Sequence, residues 1–159
     1  MKNIFALAAT SLAMIAPLNV MAQESRPTSY VYAGPAVGAA LNQGSLDIGA
    51  LTGYQYNRNG RLEASYDHVV RLMPYSSDTL MGNAIFQYPI SSVKMTPYAL
   101  AGLGYQWQNG VNQGVWAVGT GVRTEVTSRT DLDLRYRYVQ GMYNQASENV
   151  VTVNTTFKF

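Results

Sequence analysis

His68 is the one histidine of the 159-residue chain, and no cysteine accompanies it. Asp67 precedes it, and Ser76 and Ser77 follow a few residues on. A serine, an imidazole and a carboxylate are the parts of an acyl-transfer site, in which the imidazole takes the hydroxyl proton and the acid fixes the tautomer of the imidazole. The spacing does not assemble them here. His68 opens a predicted loop, 68–78, that contains Pro74, and a solitary histidine on a loop is ordinarily solvated. The chain is therefore read as non-enzymatic, with no catalytic residues assigned. It has no Cys/His cluster, no carboxylate-rich calcium loop and no phosphate-cradling glycine loop, so neither a metal nor a cofactor is expected.

The second group of chemically able residues is larger. Asp131, Asp133, Arg135 and Arg137 alternate with Leu132, Leu134, Tyr136 and Tyr138. Successive side chains of a strand point to opposite sides, so one face carries every charge and the other carries none. The same separation places Asp47, Arg61, Glu63, Asp67, Arg123, Glu125 and Lys158 opposite the apolar residues of their own segments. Charges gathered on one face could line a narrow, weakly selective water path. They could equally fill an interior as a salt-bridge network, since buried charges persist mainly when paired. The near-balance of acids and bases favours the network.

The elements that must position these residues are short alternating segments. Eight are predicted, near 30–41, 46–56, 61–67, 79–88, 98–108, 116–126, 131–138 and 148–159. Turn-forming stretches punctuate them, such as Asn42–Ser45, Asn57–Gly60 and Gln108–Gly114. Pro35 cannot donate to a ladder and is expected near a strand end or bulge. Apart from the shared strand pattern, no internal repeat stands out. An even number of antiparallel strands can close into a barrel, which removes sheet edges. The fold class predicted is all-β, an eight-stranded antiparallel up-and-down transmembrane β-barrel.

A soluble barrel that turned its apolar face inward would alternate in the same way. Two magnitudes decide against it. Arg or Lys facing lipid at the midplane costs about 2–4 kcal/mol, so an outer face without charge is what a bilayer requires. An eight-stranded barrel is also just wide enough to be filled by side chains, and large aromatics brought inward from most strands would overfill it. The aromatics sort by end as well. Tyr54, Tyr56, Tyr88, Phe157 and Phe159 fall at one rim, the periplasmic one, and Tyr66, Trp107, Trp116 and Tyr138 at the outer rim. Amphipathic rings prefer the two interfaces.

The first 22 residues read as a secretory signal peptide cut after Ala22. Lys2 precedes a short apolar run, and Val20-Met21-Ala22 closes it. Residues 23–159 then form the barrel domain. No later apolar stretch is long enough for a transmembrane helix. Eleven Lys and Arg against nine Asp and Glu, without a basic run, give no footing for nucleic acid.

Thr96-Pro-Tyr-Ala-Leu-Ala-Gly-Leu-Gly-Tyr105, Gly119-Thr-Gly-Val-Arg-Thr-Glu125 and Asp131-Leu-Asp-Leu-Arg-Tyr-Arg-Tyr138 resemble strands of small outer-membrane β-barrels. The group in question is that of opacity proteins and the OmpA transmembrane domain, often described as porin-like. The terminal Val153-Asn-Thr-Thr-Phe-Lys-Phe159 resembles their C-terminal assembly signal, carried by Val153, Thr155, Phe157 and Phe159. The resemblance implies a monomer in the outer membrane of a Gram-negative cell. Its partners would be outer-membrane lipid, the barrel assembly machinery and periplasmic chaperones. Predicted outer loops are short, unlike those of opacity-type adhesins. Some barrels of this size modify lipid A, but the His-x-Ser arrangement of the deacylases is missing. Gly34, Gly38, Gly102, Gly104, Gly119 and Gly121 could line a channel for a small hydrophobic ligand; such glycines more often relieve crowding in a narrow barrel. The functional expectation is an envelope-structural or surface-interaction role.

Overall fold

The computed structural model describes residues 29–42, 44–70, 76–90, 92, 94–108, 111–143 and 147–159. The proposed signal peptide and Pro74 lie outside the described residues. Eight strands follow one another: β1 Tyr30–Ala40, β2 Ser45–Gln55, β3 Gly60–Val70, β4 Ser77–Gln87, β5 Met95–Gln108, β6 Val111–Thr127, β7 Thr130–Gly141 and β8 Ser147–Lys158. Each pairs antiparallel with the next, and β8 returns to β1, so the sheet closes as a barrel. Closure satisfies both edges of every strand, which is why the terminal segment needs no polar cover.

The alternation predicted from sequence is the alternation observed. In β3, Arg61, Glu63, Ser65 and Asp67 are buried while Leu62, Ala64 and Tyr66 are exposed. In β7, Asp131, Asp133, Arg135 and Arg137 are buried while Leu134 and Tyr136 are exposed. Exposed aromatics form two rings. Tyr54, Tyr56, Phe86, Tyr88, Phe157 and Phe159 stand at the end that carries the C-terminus; Tyr66, Tyr105, Trp107, Trp116 and Tyr136 stand at the other. Within the second ring, Tyr105 packs edge-on against Trp107 and Trp116 against Tyr138.

Three boundaries differ from the sequence reading. His68 and Asp78 are not loop residues, because β3 continues to Val70 and β4 begins at Ser77. The β5–β6 hairpin also runs on through Gln108 and Val111, so the segment read as a turn from Gln108 to Gly114 is mostly paired strand. Ladder pairing overrides the turn preference of Asn and Gly there. Pro35 lies in the middle of β1 rather than at its end. The β1–β8 ladder skips Gly34 and Pro35, which lets a residue without an N–H sit in the closing seam.

The structure also shows two local arrangements that each occur twice around the barrel. Tyr32 of β1 pairs with Gly53 of β2, and Tyr98 of β5 pairs with Gly121 of β6. Thr52 donates to the Tyr32 carbonyl at 3.2 Å, and Thr120 to the Tyr98 carbonyl at 2.9 Å. Tyr66 of β3 donates to Asp78 of β4 at 2.5 Å, and Tyr136 of β7 to Asn149 of β8 at 2.5 Å. The same Tyr–Gly pairing and the same cross-strand tyrosine contact thus recur in β1–β4 and in β5–β8.

Candidate functional site: the charged lumen

The interior is where polar chemistry collects, and β3 and β7 supply most of it from opposite sides of the barrel. Arg135 is the hub. Its Nη1 donates to Glu63 Oε1 at 2.6 Å, its Nη2 to Glu63 Oε2 at 3.1 Å and to Asp133 Oδ2 at 3.0 Å, and its Nε to Tyr98 Oη at 2.9 Å. Tyr98 donates in turn to Asp133 Oδ1 at 2.6 Å, and Tyr32 to Glu63 Oε2 at 3.2 Å. A guanidinium whose donors meet two carboxylates and a phenol recovers much of the hydration that it lost, because charge-assisted, forked hydrogen bonds are the strong ones.

Towards the end opposite the C-terminus, Arg137 forks onto Asp67 at 2.8 and 3.0 Å and lies 3.8 Å from Asp47. Asp47 is 1% exposed, and neither of its oxygens accepts a hydrogen bond. A cavity of about 10 Å³ adjoins Asp47, Asp67, Arg137 and Glu148, close to the room one water occupies. Towards the other end, Arg61 donates to Gln55 at 2.8 Å and to the Tyr30 hydroxyl, lies 3.8 Å from Asp131, and rests over the Tyr32 ring. Lys158 reaches Asp131 at 2.7 Å and Glu125 at 3.5 Å. Arg123 donates to Gln87 Oε1 at 2.7 Å.

All of the predicted lumen residues therefore face inward, in two groups: Asp47, Asp67 and Arg137 towards one end, and Arg61, Glu63, Arg123, Glu125, Asp131, Asp133, Arg135 and Lys158, linked through Tyr32, Tyr98, Gln55 and Gln87, over the rest. Apolar layers break the polar column. Met81, Val115, Ala117 and Val139 pack together, as do Ala40, Val69 and Val150, both groups in the half away from the C-terminus. Ile85, Tyr98 and Leu100 pack together nearer the other end.

The sequence reading left four members of this interior out of the network. Glu148 is buried and adds a carboxylate; its position in the terminal strand, in parity with Thr152 and Asn154, was the available signal. Gln55 and Gln87 bridge Arg61 and Arg123 through a 3.1 Å amide contact. Tyr98 enters the lumen beside Tyr32, each ring lying over a glycine. A Cβ on Gly53 would come within 2.5 Å of the Tyr32 ring, and one on Gly121 within 2.3 Å of the Tyr98 hydroxyl. Two inward tyrosines fit because the facing residue has no side chain.

His68 lies outside this network. It stands on the outward side of β3, with Nδ1 2.7 Å from Asp78 Oδ1 across the β3–β4 pair, and not with Asp67, which points inward. Among the described residues, no group of three or more His, Asp or Glu side chains is arranged to hold a metal ion. The residues of the proposed assembly signal, Val153, Thr155, Phe157 and Phe159, lie on the outward face of β8. There Ala33 faces Phe157, and the Phe159 amide donates to the Val31 carbonyl at 2.9 Å.

This closed barrel, with charge inside and apolar surface outside, can be set against known proteins. The fold is that of small outer-membrane β-barrels. The N-terminal barrel domain of Pseudomonas aeruginosa OprF superposes with a TM-score of 0.70 at 18% identity, covering 83% of this chain and 98% of that one. Neisserial surface protein A gives 0.68 at 20% identity, covering 86% and 100%. The outer-membrane protein Ail of Yersinia pestis gives 0.59 at 13% identity, covering 82% and 97%. No family model matches the sequence, and no curated protein does.

Proposed function

We propose that this chain is a non-enzymatic barrel of the outer membrane, closed to solutes, whose role lies in envelope structure or in interaction at the surface. The observation that carries the reading is the partition of charge. In the described strands, every Lys, Arg, Asp and Glu faces inward except Asp78, which stands in the outer aromatic ring. A water-facing exterior would gain nothing from that purge, whereas a lipid-facing one requires it. The two rings of exposed aromatics and the likeness in fold to outer-membrane barrels point the same way. A non-conducting interior is supported by the Arg135 and Arg137 networks and by the apolar layers that interrupt the polar column. A surface role would use the rim, where β1 ends at Ala40 and β2 begins at Ser45.

Gel mobility of the membrane fraction, with and without boiling, tests the proposal. A folded barrel of this kind runs differently before and after heating, and it should fractionate with the outer membrane. Recovery as a soluble periplasmic protein, indifferent to heat, would contradict it.

A further inference from the structure

A groove of about 560 Å³ crosses the outward face of β2–β4. Its floor is the cross-strand row Thr52, Ala64 and Gly82, and Val31, Tyr54 and Leu62 bound it on the side of the C-terminal rim. All six are exposed. Glu63 and Asn83 also border it, but their side chains turn inward, to Arg135 and to Ser65. The one hydroxyl of the floor, that of Thr52, donates to the Tyr32 carbonyl at 3.2 Å.

Gly82 marks this hollow as more than an uneven stretch of wall. Among the described glycines, an added Cβ would strike a neighbour at 2.9 Å or less everywhere except at Gly44 and Gly82. Gly44 has a positive φ, which Gly82 does not. A glycine inside a strand weakens it, and neither crowding nor backbone conformation asks for this one. On the far side of the barrel a cross-strand row of branched residues, Val122, Leu134 and Val153, occupies the outward face of β6–β8. The ladder therefore closes as well with bulk outside, and the missing side chain at Gly82 leaves room for something external.

The chemistry of the floor selects the occupant. A hollow lined by carbon does not hold water, and left empty it forfeits dispersion contacts. Two apolar protein surfaces in lipid gain nothing from the hydrophobic effect and associate through close packing or hydrogen bonds. A second barrel would bring a stiff wall that bridges the hollow, and the floor has no unspent hydroxyl to hold it. A hydrocarbon chain follows the groove and needs no hydrogen bond. We propose that the groove seats one acyl chain of a phospholipid, entering from the rim that carries the C-terminus. The inference rests on the membrane reading above.

Native mass spectrometry of the purified full barrel tests it, with phosphatidylethanolamine or phosphatidylglycerol of matched saturated chains supplied before release from detergent. One phospholipid per barrel should be retained, and equally for the two headgroups, because the groove meets only the chain. Gly82→Leu and Ala64→Leu fill the floor, and each should lower retention about tenfold, which roughly ten lost carbon contacts amount to. Val122→Leu, on the far wall, should leave it unchanged. All variants are read in barrels that still shift on heating. Gly82→Ala, whose Cβ meets nothing closer than the Leu103 carbonyl at 3.9 Å, gives a smaller filling and should lower retention about twofold. No retained phospholipid, or retention indifferent to both Gly82→Leu and Gly82→Ala, would overturn the inference while leaving the membrane reading intact. Retention of one headgroup only would place recognition outside the groove and overturn it as well. A dimer of the unaltered chain that Gly82→Leu abolishes would give the groove to a second copy instead. A chain that neither enters vesicles nor shifts on heating would overturn the membrane reading itself.

Discussion

Strands β3 and β7 face each other across the barrel; they share Leu and Tyr at two outward positions, and three of their inward positions carry different polar groups. Outward, Leu62 matches Leu132 and Tyr66 matches Tyr136. Inward, Arg61 stands where β7 has Asp131, Ser65 where it has Arg135, and Asp67 where it has Arg137. The outward face has only to stay free of charge in the span, so its residues can repeat, as at these two positions, or differ, as Ala64 and Leu134 do. The inward residues meet each other across a narrow lumen, and two identical faces would set like charge against like. Glu63 and Asp133, which stand at equivalent places and share a sign, are both met by Arg135, and Arg61–Asp131, Glu63–Arg135 and Asp67–Arg137 are the contacts across the lumen.

The largest way to break this comparison is to remove its hub. Arg135→Met should lower the unfolding free energy of the vesicle-folded barrel by about 3–5 kcal/mol, because Glu63 and Asp133 are left buried without their partner; urea titration of the folded band reads it. Exchanging a pair sharpens the same point. Asp67→Arg or Arg137→Asp alone should each be strongly destabilising, and the double exchange should recover most of the loss. Additive losses would mean that the two residues do not sense each other.

A smaller effect should follow from the glycine beneath each tyrosine. Gly121→Ala places a Cβ 2.3 Å from the Tyr98 hydroxyl and should cost about 1–3 kcal/mol by overpacking. Gly53→Ala should behave alike, which would test the equivalence of the halves directly. The smallest effect belongs to the outward face. A Cβ on Gly82 would meet nothing closer than the Leu103 carbonyl at 3.9 Å. Gly82→Ala should therefore change stability by about 0.5 kcal/mol or less.

Much of this was legible in the sequence because a period of two is a strong signal when one face must exclude charge. The run from Asp131 to Tyr138 fixes its own parity, and the other strands follow it. The membership of the lumen network was legible for the same reason. Partners were not: nothing in the order of residues says that Arg135 takes Glu63 rather than Asp67, since that depends on strand stagger around the closed sheet. The correspondence between the halves was hidden because it rests on a few residues, Tyr32 with Tyr98 and Tyr66 with Tyr136, whose cross-strand partners the sequence does not give. The position of His68 was misread because Pro74 and the neighbouring polar residues suggested an earlier end to β3, whereas cross-strand pairing with Asp78 carries the strand on to Val70.

Conductance across a planar bilayer tests the central claim most directly, using the full-length barrel from a sample that shows the heat-dependent mobility shift. A lumen filled by the Arg135 and Arg137 networks and interrupted by apolar layers should give no stable steps of current. Large, long-lived openings by the unaltered protein would contradict the account.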